Sequence, residues 1–478
     1  MVTLGKAADV DARRVAIVPL SARAKRVLVL GSMCSFVNSL NLSIMYVAFP
    51  DLTKSFPDVS AARLSWVLNA YTVVAAATLV LAGVVADRWG RRRTLLTGVT
   101  VFASASTVCA LAPTTTILIA ARAVQAIGSA LITPASIALI LDEVPRERRA
   151  TAIATWGAIG AAAAAAGPSL GAVLIDLAGW RAAFWISVPI AAVVVPLGWR
   201  TFRESRDPSP RPLPDVFSVL CLMTGVSLVI LALTQSDDWG WGDGKTLAAL
   251  GSGLLLVAVL LVRSALIHNP VLDLTLFRHP ALRVSAAASL LYGMGFFAMF
   301  FGTVLFLRQV WGYSTVEAGL LITPVPVATA FVASFAGRVA DRHGHRRLMI
   351  PGGALFAAGA LFLVVRADVD PDPWRTWLPA VVVLGLGSGM VWPAIHGAAV
   401  HGVPGASYGS ATAINQTVQR VGTALGVATT ISLVAGWDAT DGVGGYRSMF
   451  WLMAASGVAA IVLGTQLRTA PTAGVDGR

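Results

Sequence analysis

The sequence predicts an all-α integral membrane protein: a bundle of fourteen transmembrane helices, ordered six, two and six, with both termini cytoplasmic. Three observations predict it. The first is composition, since 56% of the 478 residues are hydrophobic and only 13% are charged, against about 25% charged in soluble domains. Mean hydropathy is correspondingly high, at +0.74. The second is the recurrence along the whole chain of apolar runs of 18 residues or more, each long enough to cross hydrocarbon as a helix. The third is charge placement. With the N-terminus in the cytoplasm, 26 of the 36 Lys and Arg residues fall on cytoplasmic segments and eight on the opposite side. That is the asymmetry of the positive-inside rule. The net charge of +12 therefore reports topology and not a nucleic-acid partner.

The elements follow in order. A basic tail, 1–26, has no cleavage site after a short apolar core, so the first span is expected as an uncleaved helix. Spans are expected at 27–49, 64–86, 94–112, 116–140, 150–176, 182–199, 216–234, 246–264, 282–307, 316–339, 347–366, 376–400, 407–435 and 447–467. Pro, Gly or charged residues punctuate most of them. A Pro-rich linker, RDPSPRPLPD (206–215), follows the sixth. Cys34, Cys109 and Cys221 all fall within spans and show neither disulfide nor metal spacing. They read as small apolar packing residues, and no metal or other cofactor is expected.

An internal repeat sets the order of the helices. GVVADRWGRRR (83–93) and GRVADRHGHRR (337–347) share the pattern G-x-V-A-D-R-x-G-x-R-R, each in a loop joining two helices. The first copy follows helix 2 and the second helix 10, so two helices must lie between two six-helix halves. The expected division is a first bundle at 27–199, a linker with two added helices at 200–281, a second bundle at 282–467 and a tail at 468–478. Repeats of this kind build transporters whose halves rock about a central site. Within the loop, Gly83 and Gly90 permit a tight turn and close helix approach. Asp87 at a helix end is placed to accept from a neighbouring helix N-terminus or to pair with a nearby Arg.

Polar residues inside the spans mark the candidate site, because an unpaired polar group in hydrocarbon raises the free energy. In helix 1, NSLNLSIMYVAFP (38–50) carries Asn38, Ser39, Asn41, Ser43 and Tyr46. In helix 4, Arg122 lies well inside the span with Gln125 three residues on, on the same face. Snorkelling to headgroups is the alternative for such an Arg. Helix 5, WGAIGAAAAAAGPSLGAVL (156–174), is rich in small residues that allow close helix approach, and Pro168 permits a bend. In helix 13, Asn415 with Gln419 and Gln416 with Arg420 form two adjacent polar stripes at i,i+4 spacing. His396 reads as a hydrogen-bonded structural residue or as a proton carrier. Asp87, Asp142, Glu143, Asp176 and Glu317 all sit at span ends, so no carboxylate lies deep within a span.

These motifs resemble the major facilitator superfamily, and within it the fourteen-helix drug:proton antiporter branch (EmrB/QacA-like), over roughly residues 27 to 467. The resemblance implies a major-facilitator-type bundle and a conformational latch at Gly83, Asp87, Arg88, Gly90 and Arg91, with Asp341, Arg342 and Gly344 in the second copy. It implies a cavity-facing, proton-coupling Arg122 and, in the G-P-x-x-G element (Gly167, Pro168, Gly171), the signature of exporters. The substrate and proton cavity is expected to draw on Asn41, Tyr46, Arg122, Gln125, His396, Gln416, Gln419 and Arg420. Departures from the family pattern are Ala126 and Ala172 for Gly, Ser187 for Asn and the reversed order Gln419–Arg420, which swings the cation about 100° around the helix. The largest departure is Asn41, where the family has Asp: an amide of nearly the same shape that cannot titrate.

The resulting expectation is a multidrug efflux antiporter of a bacterial cytoplasmic membrane, monomeric and not an enzyme. It would take small amphipathic substrates, exchange protons and bind no nucleic acid. The loss of the Asp favours neutral or anionic substrates. An uncoupled or non-drug facilitator of the same fold is a rival, as is a non-transporting receptor, although the tails are short for an appended signalling domain. No buried His/Asp/Glu cluster or Ser–His pair in the spans points to catalysis.

Overall fold

The computed structural model describes residues 20–145, 148–206, 215–267, 270–403, 408–434 and 442–467. Most of both tails and of the Pro-rich linker lie outside these, as do the side chains of Asp341 and Arg342. A first group of helices comprises α1 (Ala22–Ser55), α2 (Ala61–Trp89), α3 (Arg91–Leu111), α4 (Thr115–Glu143), α5 (Arg149–Ala178), α6 (Ala182–Trp185) and α7 (Ser187–Thr201). A pair follows, α8 (Val216–Trp239) and α9 (Gly244–Leu266). The second group comprises α10 (Pro280–Gln309), α11 (Thr315–Ile322), α12 (Pro324–His343), α13 (Arg346–Arg366), α14 (Leu378–Val400), α15 (Tyr408–Val434) and α16 (Gly444–Gln466). No strand occurs among the described residues.

Helix starts are set by polar caps beyond the apolar runs. Ser21, Ser60, Thr114, Asp215 and Asp243 each accept from a first-turn amide, and Ser314 with Glu317 forms a reciprocal capping box. Eleven helical segments are long and apolar enough to cross a membrane, or up to thirteen when α2 and α5, bent by 53° and 43°, each count as one span. The bend in α5 falls between 164 and 166, where Pro168 supplies no N–H to the carbonyl four residues back. The sequence reading counts fourteen. The difference is α15, whose Asn415, Gln416, Gln419 and Arg420 lower its apolarity. Elsewhere the outward faces are apolar, as with Leu254 and Leu255 on α9 and Val458 and Val462 on α16.

Packing repeats between the two groups. In the first, α1 packs on α5, α2 and α3 on α4, and α3 on α7; in the second, α10 packs on α15, α12 and α13 on α14, and α13 on α16. The groups meet where α2 crosses α15 and where α11 and α12 cross α5, while α8 docks on both α2 and α15 beside that seam. The repeat extends to atomic detail. A Cβ placed on Gly128 would sit 2.7 Å from the Phe102 backbone nitrogen, and one on Gly387 would sit 2.7 Å from that of Phe356. Each glycine lets two helix backbones touch, which is how helices associate where lipid offers no hydrophobic drive. Gly83 differs from the sequence expectation: a Cβ there would have its nearest neighbour at 3.9 Å, so no close approach depends on it.

Gly128→Val and Gly387→Val are expected to destabilise the bundle by about 1–3 kcal/mol each, the usual effect of overpacking. Thermal unfolding in detergent should show midpoints lowered by several degrees for both. Gly83→Ala should leave the midpoint unchanged or slightly raised, since alanine is favoured in a helix by up to ~1 kcal/mol.

Candidate functional site

The site is built around Arg122. Helical spacing on α4 puts Arg122, Gln125, Ser129 and Thr133 on one face, turned toward α1 and α2. Arg122 is fully buried, so its charge must be met by groups within the bundle. Nε donates to the Val67 carbonyl at 2.8 Å, and Nη1 donates to Asn41 Oδ1 at 2.7 Å and to Gln125 Oε1 at 2.6 Å. The guanidinium also lies over the Tyr71 ring, 4.3 Å from its centroid. Every one of these partners is neutral. The snorkelling alternative is excluded, because Arg122 points into the bundle.

A second layer holds the first. Gln125 Nε2 donates to Ser106 Oγ, which also accepts from Ser187 Oγ at 2.9 Å. Asn38 Oδ1 accepts from the Tyr71 hydroxyl and from Ser129 Oγ, both at 2.6 Å, and its Nδ2 donates to Thr133 Oγ1 at 3.3 Å. Asn38 is among the helix 1 polar residues read from the sequence, though not in the cavity set, and Tyr71, Ser106, Ser129 and Thr133 are absent from that reading. Asn38 precedes Asn41 by three residues and Ser129 follows Gln125 by four, a helical spacing that identifies both. Tyr71 and Ser106 carry no such signal.

The second group contributes from α15 and α14. Arg420 is partly buried on α15, one residue beyond Gln419. Gln419 Oε1 lies 3.3 Å from His396 Nε2, and the accessible His396 ring stacks on Trp392 with centroids 5.6 Å apart. Tyr46 on α1 packs against Phe297 and Phe301 of the opposite group, at 6.3 and 6.2 Å. Gln416 is partly buried on the same helix as Arg420. Asn415 does not reach this junction: its Oδ1 accepts from Ser285 and Ser289, both at 2.8 Å, and ties α15 to α10.

The repeat loop lies at one end of the bundle. Gly90 takes φ +120°, its counterpart Gly344 takes φ +82°, and both adopt backbone that side chains disfavour. Arg91 Nε and Nη2 donate to Asp87 at 3.2 and 3.1 Å, and Nη1 donates to Asp142 at 2.8 and 2.9 Å. Ser205 Oγ adds a bond to Asp142 at 2.6 Å. The anion at the N-terminus of α3 is Glu204, which accepts from the amides of Arg92 and Arg93 at 3.1 and 3.3 Å. Asp87 takes the alternative role of pairing with Arg91. Arg88 is exposed.

At the opposite end, contacts join the groups. Asp51 on α1 accepts from Arg308 on α10 at 3.1 Å and from Thr315 on α11 at 2.8 Å. Phe49 meets Phe301 at 4.9 Å, and the hydroxyls of Ser169 and Thr323 hydrogen-bond. The Gly167–Pro168–Gly171 element belongs to this seam. A Cβ on Gly167 would come within 2.3 Å of Ser43, and one on Gly171 within 2.9 Å of Ile44, so α1 rests directly on α5. Ala172 and the Pro168 carbonyl face Gly319 of the other group, where a Cβ would lie 2.7 Å from each.

Two helix groups repeated in their packing, enclosing a buried polar site at their junction, define a polytopic membrane protein of transporter architecture. The chain belongs to the Major Facilitator Superfamily, whose description matches residues 31–427 and again 285–476. It is 31% identical over 406 residues to "Multidrug resistance protein Stp" of Mycobacterium tuberculosis, covering 84% of this chain and 74% of that one. It is 28% identical over 391 residues to the "Tetracenomycin C resistance and export protein" of Streptomyces glaucescens, covering 82% and 72%. In fold it resembles a D-xylose-proton symporter, with a TM-score of 0.68, 16% identity and coverage of 94% of this chain and 98% of that one.

Asp142→Asn removes the charge from two of the bonds to Arg91, each worth about 1 kcal/mol. Amide exchange at the start of α3 should then speed up about fivefold, and exchange in α4 around Arg122 should not change.

Proposed function

We propose that this protein exports small amphipathic compounds across the bacterial cytoplasmic membrane by alternating access. In this reading α15 is the fourteenth span, the spans fall into six, two and six at 27–199, 200–281 and 282–467, and the Gly90 and Gly344 loops face the cytoplasm with both termini. The observation that carries it is the buried Arg122, held by neutral groups from α1, α2 and α4, with Tyr46 of the same α1 meeting Phe297 and Phe301 of the other group. A fixed polar site between two repeated groups is what a rocking transporter requires. The contacts of Asp51, Phe49 and Gly319 act as the outer gate. The Asp87–Arg91–Asp142 cluster acts as the latch, with Asp341, Arg342 and Gly344 as its second copy. The names of the two bacterial relatives, one for multidrug resistance and one for resistance and export, support the direction of transport.

Coupling to protons follows from the resemblance to the antiporter branch. Asn41 has no proton to exchange, so the carriers in this reading are His396, accessible and beside Gln419, and Asp87. Uncoupled transport is a second reading, favoured by the amide that holds Arg122 where the family has a carboxylate.

The test uses inside-out membrane vesicles and an imposed pH gradient, with cationic, neutral and anionic fluorescent compounds. Uptake above that of vesicles lacking the protein is expected, and Arg122→Ala should reduce it at least tenfold, a loss of about 1.4 kcal/mol or more. Abolition of uptake when the gradient is collapsed supports antiport, and persistence supports the uncoupled reading. Equal uptake with and without the protein for every compound rejects export.

A further inference from the structure

We infer that the site between the two helix groups selects amphipathic organic anions, whose carboxylate or phenolate supplies the negative charge that α1 lacks. This rests on the transport reading above and adds the charge of the substrate to it.

Charge balance is the first argument. Arg122 on α4 and Arg420 on α15 are the two cations carried within the spans, one from each group. Among the described residues, no Asp or Glu forms an ion pair with either one. Two cations with no carboxylate to balance them raise the free energy of the empty site. A bound anion lowers that free energy, a neutral ligand leaves it, and a cation adds a third like charge.

Unclaimed donors are the second argument. Arg122 is fully buried and its Nη2 has no partner, nor has Nδ2 of Asn41, which is itself buried beside it. Buried donors of this kind are normally satisfied, so those left over indicate what the site is shaped to receive. Arg420 and the Tyr46 hydroxyl make no hydrogen bond among the described residues. The free groups are thus guanidinium, amide and phenol donors, which suit an acceptor-rich ligand.

The walls are the third. Phe296 meets Trp392 at 5.4 Å and Phe297 at 5.3 Å, and Trp392 stacks on His396. An aromatic surface that reaches Tyr46 through Phe297 and Gln419 through His396 fits a fused-ring acid better than a small inorganic anion.

The substitution at position 41 gives the sharpest consequence. Asn41 Oδ1 accepts from Arg122 at 2.7 Å, so Asn41→Asp places a carboxylate in that contact and neutralises one of the two cations from within. The protein's own side chain then takes the place of the ligand's charge.

The experiment uses the full chain in lipid nanodiscs near neutral pH, titrated calorimetrically with three ligands on one ring system: 1-naphthylacetate, 1-naphthylacetamide and 2-(1-naphthyl)ethylammonium. The same compounds, radiolabelled, are followed in proteoliposomes. The acid should bind about tenfold more tightly than the amide, with the amine weakest. Arg420→Gln should reduce the acid-over-amide ratio about fivefold and Arg420→Lys should largely restore it, a rescue that a purely structural role does not predict. Asn41→Asp should abolish the preference for the acid and raise affinity for the amine. If Arg420→Gln fails to fold, Asn41→Asp still decides the matter. A wild-type protein that binds the acid no better than the amide or amine, or that binds none of the three, overturns the inference. So does a ratio unmoved in Asn41→Asp. Charge-selective binding without movement of any compound in proteoliposomes upholds the anion site and overturns the export reading. Movement of all three at equal affinity does the reverse.

Discussion

A buried guanidinium with no counter-charge is the constraint around which the first helix group is arranged. Arg122 takes its three acceptors from the backbone of α2, an amide of α1 and an amide of its own helix, so three helices must keep their register to within a hydrogen bond. Removing any acceptor leaves a desolvated charge, whose penalty exceeds the net worth of the bond itself. The second layer of Asn38, Tyr71, Ser106, Ser129 and Ser187 follows from the same need, because each acceptor has to be oriented before it can serve.

That polar centre is compatible with a membrane bundle only because the surrounding helices pack unusually closely. Glycine contacts bring α3 onto α4 and α13 onto α14 at the same distance, and α1 rests on α5 through Gly167 and Gly171. The two groups are thus of similar construction. Their mutual contacts at the end bearing Asp51 include an ion pair, hydroxyl bonds, aromatic edges and the approach of Gly319 to the Pro168 carbonyl. Exchangeable side-chain contacts between groups, beside one close backbone approach at Gly319, suit a molecule whose halves move against each other.

The loop at 83–93 shows how a short motif and its surroundings share the work. Its glycine turn at Gly90 and the Asp87–Arg91 pair are local, four residues apart and on one helix face. Asp142, Ser205 and Glu204 complete the cluster from distant parts of the chain and bind the loop to α4 and to the segment after α7.

The sequence by itself determined the class of structure, the repeat and the site's most unusual property. Apolar length, charge asymmetry and a duplicated loop are written in each segment separately, because hydrophobic period and loop chemistry are local. The amide at 41 and the absence of any carboxylate deep in a span are equally legible. The sequence predicts fourteen spans and eleven to thirteen helical segments are long and apolar enough to cross, because α15 carries its polar residues inside the bundle. Only the tertiary structure decided what meets Arg122. Asn41 lies 81 residues away, and the Val67 acceptor is a backbone carbonyl that no side-chain pattern reveals. It also decided that Asn415 ties α15 to α10 while Gln419, four residues on, meets His396 of α14. The reason is geometric. Sequence gives the face of a helix on which a residue lies, but the partner depends on how that face is turned and slid against another helix, and this is fixed only when all the helices pack together.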